Sequence, residues 1–227
     1  MHQETHVTSS NIVRDIIIGM SDGLTVPFAL TAGLSGVLDT NHLIIVSGLS
    51  EIAAGCISMG LGGFLAGQTE IEHYDAELKR EYEEIEKVPE IERKEVEEIF
   101  ISMGVDEALS KQVTLQISQD KDKWVDFMMR FELGLDKPDK NRAYQSAITI
   151  ALAYLTGGLI PLAPYVIISN NQHGFYWSCG ITIFALIIFG YFKSKVTAQP
   201  LLKGTLKVAL TGIFAAAAAY AIAKMIS

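Results

Sequence analysis

Apolar and polar positions alternate along this chain in long blocks rather than in short turns. Ile12 to Leu38 is predominantly apolar, and so is Leu43 to about Gly67, with only Asp39, Thr40, Asn41 and His42 between them. A charged stretch runs from Glu70 to Arg142. Three more apolar blocks follow: Tyr144–Ile168, which holds Pro161 and Pro164, Phe175–Phe192, and about Leu206–Ile226 with its alanine run. A helix needs about 20 apolar residues to cross a bilayer, and the blocks have that length. The pattern predicts an all-α polytopic membrane protein. It has five transmembrane helices, the first two paired as a tight hairpin, and a helical insert between helices 2 and 3. The expected organisation is residues 1–69 for helices 1 and 2, 70–142 for the insert, and 143–227 for helices 3 to 5.

Within the charged stretch, Glu70–Lys87 contains no Gly or Pro and is rich in Glu, Lys and Leu, which predicts a helix. Pro89 restarts a helix that runs to about Met103 and ends at Gly104. Asp106 is placed to cap another that reaches Ser118, and Asp122–Leu133 forms one more before Gly134 and Pro138.

Composition sharpens this picture where charge is unevenly placed. The net charge is -8, and the segment Glu70–Arg142 alone carries 21 acidic and 12 basic residues, against 5 and 6 elsewhere. An acidic segment argues against nucleic acid as a partner and for cations. With five spans, 17 of the 18 Lys and Arg residues fall on one side, and only Lys224 falls on the other. By the positive-inside rule the N-terminus and the insert are cytosolic and the C-terminus lies on the far side. Cys56 and Cys179 sit inside apolar blocks and suggest no disulfide framework. The first residues are polar, with His2 and His6, and lack the pattern of a cleavable signal.

The candidate chemistry lies in polar residues inside the apolar blocks: Asp15, Asp22, Glu51 and Met59. An ionisable group at bilayer depth costs several kcal/mol unless it faces a partner or a hydrated path. Counted from the cytosolic ends at the helical rise, Asp15 is roughly 5 Å deep, Met59 roughly 10 Å, Asp22 roughly 15 Å and Glu51 roughly 22 Å. Asp15, beside Arg14, reads as a residue at the membrane edge; Asp22 and Glu51 read as functional. Carboxylates bind hard and borderline divalent ions, and a thioether adds softness that favours Fe2+ and its neighbours over Mg2+ and Ca2+. Gly19/Gly23 and Gly63/Gly67 have close-packing spacing, which serves helix contacts within one chain or between two copies.

In the insert, Glu81/Glu84, Glu92/Glu95 and Glu95/Glu98 share helix faces, and Met128 lies one turn before Glu132. Spacing alone leaves these as solvated carboxylates, because Glu-rich helices are common. Glu70 and His73 make a single Glu-x-x-His, where a di-iron bundle needs two.

Three stretches carry a family resemblance. Asp15–Gly36, which includes Gly19-Met-Ser-Asp22-Gly and Pro27, resembles the first-helix signature of the vacuolar iron transporter family. Glu51–Gly63 resembles its second helix, and Asp126-Phe-Met128-Met129-Arg-Phe-Glu132 the end of its cytosolic metal-binding domain. The resemblance implies a homodimer with the pathway at the subunit interface, Fe2+/H+ antiport away from the cytosol, and a cytosolic three-helix domain that gathers metal. It implies Asp15, Asp22, Glu51 and Met59 as pathway residues. It implies Glu81, Glu84, Glu92, Glu95, Met128, Met129 and Glu132 as cytosolic metal ligands. No cofactor is expected; metal ions, protons and lipid are the partners. The membrane is vacuolar in a eukaryote and the plasma membrane in a bacterium. The alternatives are a Mn2+-preferring carrier, a membrane-anchored iron-oxidising or iron-storing protein, and a passive channel.

Overall fold

A computed structural model describes residues 11–226. His2 and His6 lie outside the described residues. Every regular element among those residues is a helix: α1 Asn11–Ser35, α2 Asn41–Lys87, α3 Pro89–Ser102, α4 Glu107–Ile117, α5 Lys121–Phe131, α6 Arg142–Ile167, α7 Asn171–Val196 and α8 Leu201–Ile226. Five of them, α1, α2, α6, α7 and α8, are long and apolar enough to cross a membrane. The chain forms two compact units, one from Ala66 to Arg142 and one from the described residues on either side of it.

Local chemistry explains most boundaries. Gly104 ends α3 at a φ of 92°, a left-handed conformation that glycine adopts without strain. Asp106 caps α4 by accepting from the amides of Ala108 and Leu109 at 3.0 and 3.1 Å. Asn170 caps α7 through His173 N at 3.0 Å. One boundary differs from the sequence pattern. The change in charge at Glu70 separates a second span from the insert's first helix, yet α2 is unbroken over 47 residues. Gln68 and Thr69 contain nothing that stops a helix, and a switch from lipid-compatible to water-compatible side chains does not interrupt backbone hydrogen bonding.

In the larger unit, α6 is flanked by α1 and α2 at glycine contacts. A Cβ on Gly19 would lie 2.4 Å from the Ile150 carbonyl oxygen, and one on Gly23 would lie 2.3 Å from that of Tyr154. From α2, a Cβ on Gly63 would meet the side chains of Ile150 and Ser146 at 2.7 and 3.0 Å. These glycines therefore serve helix packing within one chain. Two further clusters join α1 to α7 and α8: Leu24, Leu186 and Val208, and Phe28, Ala32 and Ala216. Large apolar side chains such as Ile57, Leu61, Phe184 and Phe214 face outward. That surface suits lipid, whereas in water it would be an aggregation site. Cys56 and Cys179 are free thiols.

The smaller unit has its own core of Tyr74, Ile85, Val96, Trp124, Val125, Met128 and Met129. It draws on the end of α2 as well as on α3–α5, the three helices that lie wholly within it.

Gly19→Ala is expected to lower the thermal stability of the detergent-solubilised chain by roughly 1–3 kcal/mol, because backbone at the α1–α6 crossing must move. Gly62→Ala, whose Cβ would meet nothing within 4 Å, is expected to be neutral or stabilising. Thermal unfolding of both variants checks the contrast.

Candidate metal sites

The end of α2 carries Glu81 and Glu84, α3 carries Glu92 and Glu95, and Glu132 caps the C-terminus of α5. Folding brings three of these together. One carboxylate oxygen from each of Glu81, Glu92 and Glu132 lies within 4.8 Å of the others. Oxygens bound to a common ion at about 2.1 Å lie at most about 4.2 Å apart, so a contraction of a few tenths of an ångström would seat one divalent cation. Glu81 and Glu92 are only 3% and 4% exposed, an extreme position for acids. Oε2 of Glu81 is buried without a hydrogen-bond partner.

The electrostatics reflect this crowding. Burial pushes the Glu81 carboxyl up to about 7, with Glu132, Glu92, Glu84 and Glu95 adding to the shift. Burial also pushes Glu92 up to about 7, followed by the charges of Glu95, Glu84 and Glu132 and a hydrogen bond with Glu95. Glu132 is raised by burial and then by Glu95 and Glu84. The nearby Arg80 guanidinium is engaged by Glu84 at 3.1 Å and by Glu77 at 3.8 Å, and both pairs are solvent-exposed and weak. A cation set among the three carboxylates would relieve both their mutual repulsion and the unpartnered oxygen.

Met128 and Met129 are placed differently from the glutamates. Both are fully buried in the core of the unit. Met128 contributes through its backbone as well: its carbonyl accepts from Glu132 N at 2.9 Å and so fixes the end of α5. Glu98, Glu70 and His73 are exposed.

The larger unit holds the second constellation. Asp15 is buried on α1. Asp22 on α1, and Glu51 and Met59 on α2, are half-buried. The hydroxyl of Tyr154 on α6 donates to Glu51 Oε1, while Glu51 Oε2 is buried without a hydrogen-bond partner. The Tyr154 ring fills the space left by Gly55, and its backbone fills the space left by Gly23 next to Asp22. Asp22 and Glu51 thus lie on either side of one tyrosine, and both are within electrostatic reach of its hydroxyl. Met59 is eight residues further along α2 than Glu51, about 12 Å along the axis, and does not join this cluster. No Lys or Arg occurs from Asp15 to Thr69 or from Ala143 to Phe192. The Lys and Arg residues of α1 and α2 nearest to the two carboxylates in sequence are therefore Arg14, eight residues before Asp22, and Lys79, twenty-eight residues after Glu51.

Tyr154 is the residue that sequence reasoning missed. Its signal in the sequence is weak: a tyrosine close to the glycine pair Gly157 and Gly158, in a block that also holds Ser146, Thr149, Thr156 and Tyr165.

A family profile described as the VIT family matches residues 13–224. Vacuolar iron transporter 1 of Arabidopsis thaliana is 51% identical over 225 residues, which cover 99% of this chain and 90% of the relative. Vacuolar iron transporter 1 of Tulipa gesneriana is 48% identical over 225 residues, covering 99% and 91%. Vacuolar iron transporter cccA of Arthroderma benhamiae is 37% identical over 224 residues, covering 95% and 80%. With this match across nearly its whole length, and with five helices long and apolar enough to cross a membrane, the chain belongs to the VIT family and is an integral membrane protein.

Proposed function

We propose that this protein carries Fe2+ out of the cytosol across a membrane in exchange for protons. The observation that carries the reading is Glu51: a carboxylate inside an apolar bundle, held by Tyr154 at one oxygen and bare at the other, with no Lys or Arg in the sequence from Asp15 to Thr69 or from Ala143 to Phe192. Such a group is tolerable when it binds either a cation or a proton, and alternation between the two is what an antiporter requires. The relatives' printed names support iron as cargo and a vacuolar membrane as the site. Lys and Arg placement supports a cytosolic insert and N-terminus, and hence export from the cytosol.

In this reading the insert collects the ion on Glu81, Glu92 and Glu132, with Glu84 and Glu95 supplying further negative charge. The ion then passes Asp15 and Met59 to reach Asp22 and Glu51. Protons arriving from the far side neutralise those two acids and release it. The outward apolar faces of α1 and α2 suit contact with a second copy, so the working unit is a homodimer. The oxygen-only trio in the insert also accepts Mn2+, which supports Mn2+ as a second cargo.

Glu51→Gln is expected to abolish Fe2+ flux into sealed proteoliposomes under an imposed proton gradient while leaving thermal stability intact. Normal flux in that variant would remove Glu51 from the pathway. Collapse of the gradient is expected to stop uphill transport by the unaltered chain. A channel would continue to equilibrate the ion.

Replacing Glu92 and Glu95 together by Ala is expected to weaken metal binding to the full chain without abolishing flux. Calorimetry and transport measured on the same preparation separate the two effects. Metal binding is also expected to release protons. Glu81 and Glu92 hold their protons up to about pH 7, so binding weakens as pH falls through that value. Calorimetry in buffers of different ionisation enthalpy is expected to report more protons released per ion near about pH 6 than near about pH 8.5.

A further inference from the structure

At the end of the bundle that carries the α1–α2 and α6–α7 turns, two cavities meet. The first, of about 540 Å³, is polar; Asp39, Asn170, Asn171 and Lys224 are among its walls. The second, of about 260 Å³, is a groove between α1, α7 and α8 lined by Phe28, Ala32, Cys179, Ile183, Ile213 and Ala217, with further apolar residues. Phe175 and Tyr220 belong to both, and their rings stack at 5.6 Å where the two join. Polar chamber and apolar groove form one amphipathic recess.

The geometry points to a bilayer phospholipid with a primary-amine headgroup, phosphatidylethanolamine in its chemistry, as the occupant of this recess. Depth supports the acyl part. Lys224 and Ile213 are eleven residues apart on α8, about 16 Å of axial rise, which matches the half-thickness of a hydrocarbon core about 30 Å across. The groove therefore runs from headgroup level through one leaflet to about the bilayer midplane, and water cannot fill it at low cost. Charge supports the headgroup. Lys224 is the one Lys or Arg among the described residues on this end of the bundle and suits a phosphate, while Asp39 across the chamber suits an ammonium. The recess is separate from the Glu51–Tyr154 pair and from the carboxylate trio, and none of its residues is needed for the proposed transport chemistry.

The full chain in detergent, stripped of co-purified lipid, is titrated in parallel with phosphatidylethanolamine, phosphatidylglycerol and phosphatidylcholine. Intact-mass spectrometry counts lipids retained per chain, and thermal unfolding is followed on the same samples. The expected result is one phosphatidylethanolamine per chain, held about tenfold more tightly than either other lipid, with a rise in unfolding temperature. Lys224→Gln and Asp39→Asn are each expected to weaken retention about tenfold. Ala217→Trp, which fills the groove from its open side, is expected to remove retention while unfolding in lipid-free detergent stays unchanged. Retention that ignores the headgroup overturns the proposal, as does retention that survives both Ala217→Trp and Lys224→Gln.

Discussion

The structure is organised around one electrostatic constraint: carboxylates held where water is scarce and without basic partners. In the insert, Glu81 and Glu92 are nearly inaccessible and converge on Glu132. In the membrane bundle, Asp22 and Glu51 flank Tyr154 in a stretch devoid of Lys and Arg. Left ionised and alone, such groups would cost several kcal/mol each. A positive charge, either a proton or a metal ion, would relieve that cost. In the proposed function both constellations exchange one for the other, which would link the fold to transport.

The packing serves that constraint. Gly19 and Gly23 let α1 approach α6 until backbone meets backbone, and Gly55 opens room for the Tyr154 ring. Side chains at these positions would force the helices apart and remove Tyr154 from Glu51. In the insert, the core of Met128, Met129, Trp124 and Val125 fixes α5, and the Met128 carbonyl sets the turn from which Glu132 projects. Both methionines are buried in the core that holds this turn in place.

Much of this was legible in the sequence, for identifiable reasons. Apolar blocks of bilayer length have few alternatives to membrane helices, so the five spans followed directly. Gly104 and Asp106 mark their helix ends by conformation and capping, and both act as expected. The unbroken α2 was less legible, because side-chain polarity changes at Glu70 while backbone propensity does not. The carboxylate trio could not be derived from i, i+3 spacing, since Glu132 reaches Glu81 and Glu92 only through tertiary packing; the family resemblance supplied what periodicity lacked. Tyr154 was hidden for a similar reason. A tyrosine in an apolar run looks like packing material until a neighbouring helix presents an acid to its hydroxyl.

Pro27 and Pro161 lie inside α1 and α6 and each lacks the amide hydrogen that would bind the carbonyl four residues earlier. Those carbonyls belong to Gly23 and Gly157, which are side by side where the two helices cross. Bending at that crossing breaks no hydrogen bond of the usual register, because the bond is already missing from both helices. Within a turn of Asp22 and of Tyr154, the bundle thus has a point of mechanical compliance. In the proposed cycle a carrier opens its cargo to one side and then to the other, and this compliant crossing lies next to the acids proposed to hold it.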